Sequence, residues 1–241
     1  MQGITPTVVS IQDAVARQYG LPDPVDVGQT LNTYLGITTP VTTGTRVARA
    51  IMFGSDGRAN RSARCSHLYN TLPLISRPTS NPLTPSERQY YFLRKVVMVA
   101  GIEYEVYYAK ALPTLGGLTT QKYGTYATPT SPPNFTSITL PPASFDWSTE
   151  DGVSSITRIA ADMIVPISDI DLTSLSAACL LMGITDTTIR EVGVVSGIEY
   201  SVASGVVDLA SAICMYHYST DAPVTTPGIQ MSCGTIAGLM L

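Results

Sequence analysis

The sequence predicts an α+β fold in which β structure predominates: an antiparallel sheet or sandwich with short N-terminal helices and one mid-chain helix. Three observations carry this. Apolar residues recur with a two-residue period, most clearly where Ile102, Tyr104, Val106 and Tyr108 alternate with Glu103, Glu105 and Tyr107, the pattern of a strand with one buried face. Helical spacing is confined to short runs near the N-terminus and one run past the middle. Charged residues are 13% of the chain, against roughly 25% in average globular proteins, and Thr, Ser, Gly and Pro take their place.

In chain order, Ser10 and Asp13 suit the start of a helix whose face is Ile11, Ala14, Val15 and Tyr19, stopped by Gly20 and Pro22. Val27, Leu31, Tyr34 and Leu35 repeat the helical pattern before Gly36. Residues 1–45 are therefore expected to be a helical cap and linker, and 46–241 a β-rich domain carrying a long Pro/Thr-rich arm at about 113–151. Arg46–Phe53 reads as a strand, followed by an arginine-rich loop and proline turns at Pro73, Pro78 and Pro82. Thr84-Pro85-Ser86-Glu87 has the form of a capping box with proline at the first helical position. Residues 90–99 and 102–112, joined by Ala100-Gly101, read as a hairpin. Beyond the arm, Thr157, Ile159, Ala161, Met163 and Val165 alternate as a strand, and Leu175, Ala178, Cys179 and Met182 form a helical stripe ended by Gly183. Thr187–Ser196, Ile213–Ser219 and Ile229–Leu241 read as strands, while Val206–Ile213 fits strand or helix equally. An echo links Arg94, Val96, Val99, Gly101, Ile102, Glu103, Tyr104 and Val106 to Arg190, Val192, Val195, Gly197, Ile198, Glu199, Tyr200 and Val202. A duplicated hairpin requires a turn at both glycines.

The net charge of −4 conceals an asymmetry: residues 46–95 hold nine basic residues against Asp56 and Glu87, and 146–208 hold ten acidic residues against Arg158 and Arg190. The two regions are complementary within one chain or between neighbouring copies, or else are two ordinary solvated surfaces.

Chemistry-bearing patterns are sparse. Only His67 and His217 offer imidazoles, and neither stands in a nucleophile motif. Cys65, Cys179, Cys214 and Cys233 are widely spaced and form no zinc-ribbon or redox pair. Cys65-Ser66-His67 supplies at most two metal ligands where a closed zinc site takes four. Asp169 and Asp171 suit a helix start better than acid–base work. Phosphate-loop signatures are lacking, and Gly193-Val194-Val195-Ser196-Gly197 misplaces its serine for a nucleophile elbow. No catalytic, cofactor-binding or metal residues are therefore assigned. No run reaches the length of a membrane helix, and Met1–Gly20 lacks the pattern of a signal peptide. The loop Arg58, Arg61 and Arg64 has the charge to grip phosphates but no aromatic residue for base stacking.

The run Ser66-His67-Leu68-Tyr69-Asn70-Thr71-Leu72-Pro73-Leu74-Ile75-Ser76-Arg77-Pro78, then Asn81-Pro82-Leu83-Thr84-Pro85-Ser86-Glu87-Arg88, Leu93-Arg94-Lys95, Gly101-Ile102-Glu103-Tyr104 and Tyr107-Tyr108-Ala109-Lys110, resembles a family of tailed-bacteriophage virion proteins. Thr188–Gly197 is similar to a strand segment of phage tail and baseplate-associated proteins. The resemblance implies a non-enzymatic structural component of a phage particle, made in the host cytoplasm and resident in the virion, with contacts in the tail, baseplate or neck. Capsid decoration, or recognition of a host receptor or glycan, is the alternative; nucleic-acid contact ranks third. The expected partners are other virion proteins and further copies of the chain, with no membrane, nucleic acid, small molecule or cofactor. Arg58, Arg61 and Arg64 in the basic loop, Tyr107 on the hairpin, Pro132, Pro133 and Phe135 in the arm, and Leu239 and Leu241 in the apolar tail are the expected interface residues.

Overall fold

The computed structural model describes residues 5–18, 30–56, 68, 70–112, 118–123, 156–166, 169–219 and 228–237. In chain order the elements are β1 (Thr5–Pro6), α1 (Val8–Gln18), α2 (Leu31–Leu35), β2 (Val47–Gly54), β3 (Thr71–Leu72), β4 (Ile75–Pro78), α3 (Pro85–Arg88), β5 (Tyr91–Val99), β6 (Ile102–Ala111), β7 (Leu118–Tyr123), β8 (Ile156–Pro166), α4 (Asp169–Leu181), β9 (Glu191–Ala203), β10 (Val206–Ser219) and β11 (Gly228–Ala237). The fold is mostly β with a few short helices. Two compact units result, one of Met1–Leu112 with Pro166–Gly228, the other of Pro113–Val165 with Ile229–Leu241. The N-terminal helices thus share a unit with the large sheet instead of forming a cap of their own.

The first unit holds an eight-stranded sheet that runs β1-β10-β9-β2-β6-β4, with β3 also paired to β2 and β5 to β6. The second holds a three-stranded sheet in the order β11-β8-β7, in which β7 and β8 are antiparallel from Leu118↔Ala161 to Tyr123↔Ile156. Strand β7 lies within the segment expected to be an irregular arm. Its Leu118-Thr119-Thr120 and Tyr123 are strand-forming residues, and their pairing overrides the proline-rich surroundings. The remaining arm positions fall outside the described residues.

The β5–β6 hairpin forms where the alternation places it, from Tyr91↔Lys110 to Val99↔Ile102. Its two-residue loop has Ala100 at φ 50° and Gly101 at φ 82°, the two positive angles that let such a loop follow the twist of its strands. Thr84 and Glu87 make the expected capping box, with Glu87 N–H donating to Thr84 Oγ1 (3.3 Å) and Thr84 N–H to Glu87 Oε2 (2.8 Å). Helix α4 buries Leu175, Ala178 and Cys179. It ends where Gly183 takes φ 70° and Ile184 N–H reaches back to the Cys179 carbonyl (2.8 Å).

Two expectations change and two open readings are settled. Helix α1 begins at Val8, not beyond Ser10, because Thr7 is tied to β10: its N–H donates to the Met215 carbonyl (2.9 Å) and its hydroxyl to the Cys214 carbonyl (2.7 Å). The proline-turn region carries β3 and β4 on either side of Pro73, paired to β2 and β6. Val206–Ile213 is strand, since the whole of β10 is laddered to β9. The sequence echo is not a duplicated hairpin: Gly101 is in a turn, whereas Gly197 lies inside continuous β9. There a Cβ would come within 2.9 Å of Leu209 Cβ, so the close approach of β10 accounts for that glycine.

The principal core joins Leu31 and Leu35 of α2, Met52, Leu68, Phe92, Leu93, Val106, Tyr108, Val195, Leu209 and Ala212. Strand β10 lies alongside this core with one edge on β9, and polar groups occupy its other edge. Asn32 of α2 donates to the Leu209 carbonyl (2.8 Å) and accepts from Ala212 N–H (2.7 Å), bracketing the irregularity at Ser211, φ 47°. Arg46 Nε donates to the Ser211 carbonyl (3.0 Å). Asp208 accepts from the N–H groups of Leu93 (2.7 Å) and Arg94 (3.2 Å) on β5, and from that of Leu209 (2.8 Å). Burial raises the Asp208 carboxyl above the ordinary carboxylate range, against the downward pull of these three N–H groups.

Asp208→Ala strips the acceptor from buried amides on two strands, and equilibrium urea unfolding should show a loss of about 3–5 kcal/mol. With its pKa raised in the folded state, Asp208 takes up a proton more readily folded than unfolded. Its contribution to stability is therefore greatest below the unfolded-state pKa and is lost as pH rises through the folded value. The stability gap between the wild type and Asp208→Asn should accordingly widen as pH is lowered from neutrality. At the exposed loop, Ala100→Asn creates the Asn-Gly pair suited to two positive φ angles and should raise the unfolding free energy by about 0.5–1 kcal/mol in the same assay.

Candidate assembly surface

Of the expected interface residues, Arg58, Arg61, Arg64, Pro132, Pro133, Phe135, Leu239 and Leu241 lie outside the described residues. Tyr107 is described, and it corrects the expectation. The alternation along β6 does point it away from the principal core, but its ladder partner Ile75 on β4 shares that face and packs against it. Tyr107 is 1% exposed, packed with Ile75, Leu83 and Tyr91, its ring 6.0 Å from that of Tyr91. It is enclosed by its own chain and is not available to another. Its hydroxyl donates to Glu105 Oε2 (2.8 Å) while Arg94 donates to Glu105 Oε1 (2.7 Å), so both oxygens of this buried carboxylate are engaged. Burial, reinforced by the neighbouring carboxylate, pushes the Tyr107 phenol up.

Other buried polar groups are likewise built into the sheet. His217 Nε2 lies 3.2 Å from Glu191 Oε1 on neighbouring β10 and β9, both side chains almost wholly buried. His217 Nδ1 has no hydrogen-bond partner among the described residues. Cys179 and Cys214 are buried, and desolvation pushes the Cys179 thiol up to about 11, far from the thiolate a nucleophile needs. Cys214 Sγ fills the space above Gly193, where an added Cβ would come within 2.7 Å of it. Among the described residues, no three His, Cys, Asp or Glu side chains gather as a metal site, and no described helix is long and apolar enough to cross a membrane.

The exposed apolar side chains tell a different story. Toward its loop, the β5–β6 hairpin carries Val96 at 43%, Met98 at 66% and Ile102 at 50% exposure. The pairing Val96↔Glu105, Met98↔Glu103 and Val97↔Tyr104 sets Val96 and Met98 on the face away from the principal core, and Val97 on the core side. Ile102, opposite Val99, shares the side of Val97. The tip is thus apolar on both faces. None of these residues was among the expected interface residues; the available signal is that Val96-Val97-Met98-Val99 has no polar position at all, so one face must offer apolar groups to something other than its own core.

Tyr107→Phe tests the correction. Loss of the bond to Glu105 should lower the unfolding free energy by about 1–2 kcal/mol, and the solution mass of the chain, measured by light scattering, should not change.

No curated protein and no solved structure matches this chain. One protein-family model does match it, over residues 1–208, which takes in the described strands of the large sheet but only the first three residues of β10. The chain belongs to that family, the family of unknown function DUF7208.

Proposed function

We propose that this protein is a non-enzymatic structural component of a tailed-bacteriophage particle, holding neighbouring subunits together in the tail, baseplate or neck. One observation carries the reading: the exposed apolar surface of the β5–β6 hairpin, Val96, Met98 and Ile102. Apolar side chains left in water near the loop of the hairpin lose the transfer energy that burial would supply, roughly 1.5–3 kcal/mol for each fully covered side chain. A neighbouring subunit would supply that cover.

Two further features support it. The residues that resemble phage virion proteins, Ser66–Pro78, Asn81–Arg88 and the runs from Leu93 to Lys110, include β3, β4, α3 and much of this same hairpin. The buried carboxylates Asp208 and Glu105 are bound to backbone amides or to side chains of the sheet, an arrangement that stiffens a scaffold. On this reading the partners are other virion proteins and further copies of the chain.

Chemical cross-linking of intact phage particles, read by mass spectrometry, is the direct measurement. Cross-links from Lys95, beside the hairpin, to an identified tail, baseplate or neck protein or to another copy are the expected result. Purified particles that lack the chain altogether would remove the reading.

A further inference from the structure

Strand β5 leaves a sheet edge open. Val99 and Ile102 flank the two-residue loop and form its closing hydrogen-bonded pair. Because such pairs alternate along an antiparallel ladder, the backbone groups of Lys95, Val97 and Val99 face β6, and those of Arg94, Val96 and Met98 face away. Arg94 obeys this parity, since its N–H reaches Asp208 on the far side. Past that bond no described strand pairs with β5 on the side away from β6. The outward donors and acceptors of Val96 and Met98 are therefore a template for another strand. The usual devices that blunt an edge are missing from this stretch: residues 95–99 contain no proline, and their register with β6 is regular. Lys95 is the one charge there. Its backbone faces β6, and its ammonium lies near Gly36 at the end of α2.

We propose that this edge pairs antiparallel with the same edge of a second copy of the chain, about a two-fold axis passing through Val97. The inference deepens the assembly reading by naming one partner and its register. Parity and the bonds already present select that register. A pair centred on Val96 sets Met98 against Arg94, whose N–H is committed to Asp208. A pair centred on Met98 sets Val96 against Ala100, which is turned into the loop at φ 50°. Centring on Val97 sets Val96 against Met98 and Met98 against Val96, two complete pairs that give about four inter-chain N–H to carbonyl bonds. The same register opposes Lys95 to Val99, so no like charges meet. It also brings the exposed Val96 and Met98 side chains of both copies onto one face, covering the apolar surface that each alone leaves in water. The contact is isologous and closes at two subunits.

The register is directly testable. At the axis Val97 faces its twin in a non-hydrogen-bonded pair, with Cα atoms about 4.5 Å apart, inside the range a disulfide spans. Under mild oxidation, full-length Val97→Cys should form a covalent dimer on a non-reducing gel, above the wild-type background. Ile102→Cys, exposed but on the other strand, should not. By light scattering after size exclusion, the wild type should show twice the chain mass. Met98→Pro removes an outward N–H while leaving the β5–β6 ladder whole, and should show the single mass with an unchanged circular dichroism spectrum. The proposal is overturned if the wild type keeps the single mass at every concentration tested, if Val97→Cys does not cross-link, or if Ile102→Cys cross-links as readily. Because the dimer is read in solution and incorporation in particles, either reading can fail without the other.

Discussion

The large sheet depends on how the outer edge of β10 is satisfied. One side of this strand is laddered to β9, and an equally complete row of backbone groups would otherwise stand open on the other. That row is filled from elsewhere in the chain, largely with side chains. Thr5 and Pro6 pair with His217 and Tyr216, Thr7 takes the carbonyls of Cys214 and Met215, Asn32 brackets Leu209 and Ala212, and Arg46 takes Ser211. At the last position Asp208 reverses the direction and reaches across to the amides of β5. A buried carboxylate is costly unless its charge is met by donors, and the three N–H groups at Asp208 offset part of that cost, the carboxyl staying above its ordinary range. The sheet is thereby drawn round until β5 and β10 face the same core without forming a ladder between them.

This arrangement explains why the N-terminal helices belong to the large unit. Their polar side chains supply the bonds that the irregular turn at Ser211 removes from the ladder. Arg46 also lies 3.4 Å from Asp13 of α1, with both side chains buried, which ties the first helix to the entry of β2. The charge asymmetry of the sequence is used in part within the chain as well. Arg49 of the basic region is paired with Glu199 of the acidic one, joining β2 to β9. That contact is solvent-exposed and contributes little stability by itself; it sets register more than it adds energy. Arg190, by contrast, pairs locally with Asp186 (2.8 Å).

What was legible in the sequence was local. The β5–β6 hairpin, the Thr84–Glu87 capping box and the α4 stripe ended by Gly183 each follow from residues within one turn or one ladder of each other. What was not legible depended on distant pairing. Val206–Ile213 is an apolar run with no period of its own, and only β9 makes it a strand. Alternation assigned Tyr107 to the correct face but was silent about β4, whose Ile75 packs against it there after a turn at Pro73 that reads as a simple break. Gly101 and Gly197 stand in similar surroundings, yet one permits a positive φ and the other permits a neighbour to come close. Asp208 did leave a trace: it is the one charge in Val206-Val207-Asp208-Leu209-Ala210, and an acid in such company needs buried donors. The open edge of β5 left a weaker trace in Lys95–Val99, whose apolar side chains face both ways.

The two strands that approach one another at Asp208 therefore meet opposite fates. Strand β10 has its edge closed by its own chain, with polar side chains bonded to the backbone of Leu209, Ser211, Ala212 and Cys214. Strand β5 shares that closure only at Leu93 and Arg94, and beyond them its outward backbone groups and its most exposed apolar side chains coincide at Val96 and Met98. An edge left open by neglect would be expected to carry charge or proline against unwanted pairing. Here the only charge is Lys95, and the outward residues are Val96 and Met98, whose burial against an identical strand is favourable. Among the described residues the chain thus closes one edge with its own groups and leaves the adjoining one unpaired at its most apolar stretch, which is the ground of the proposed pairing with a second copy.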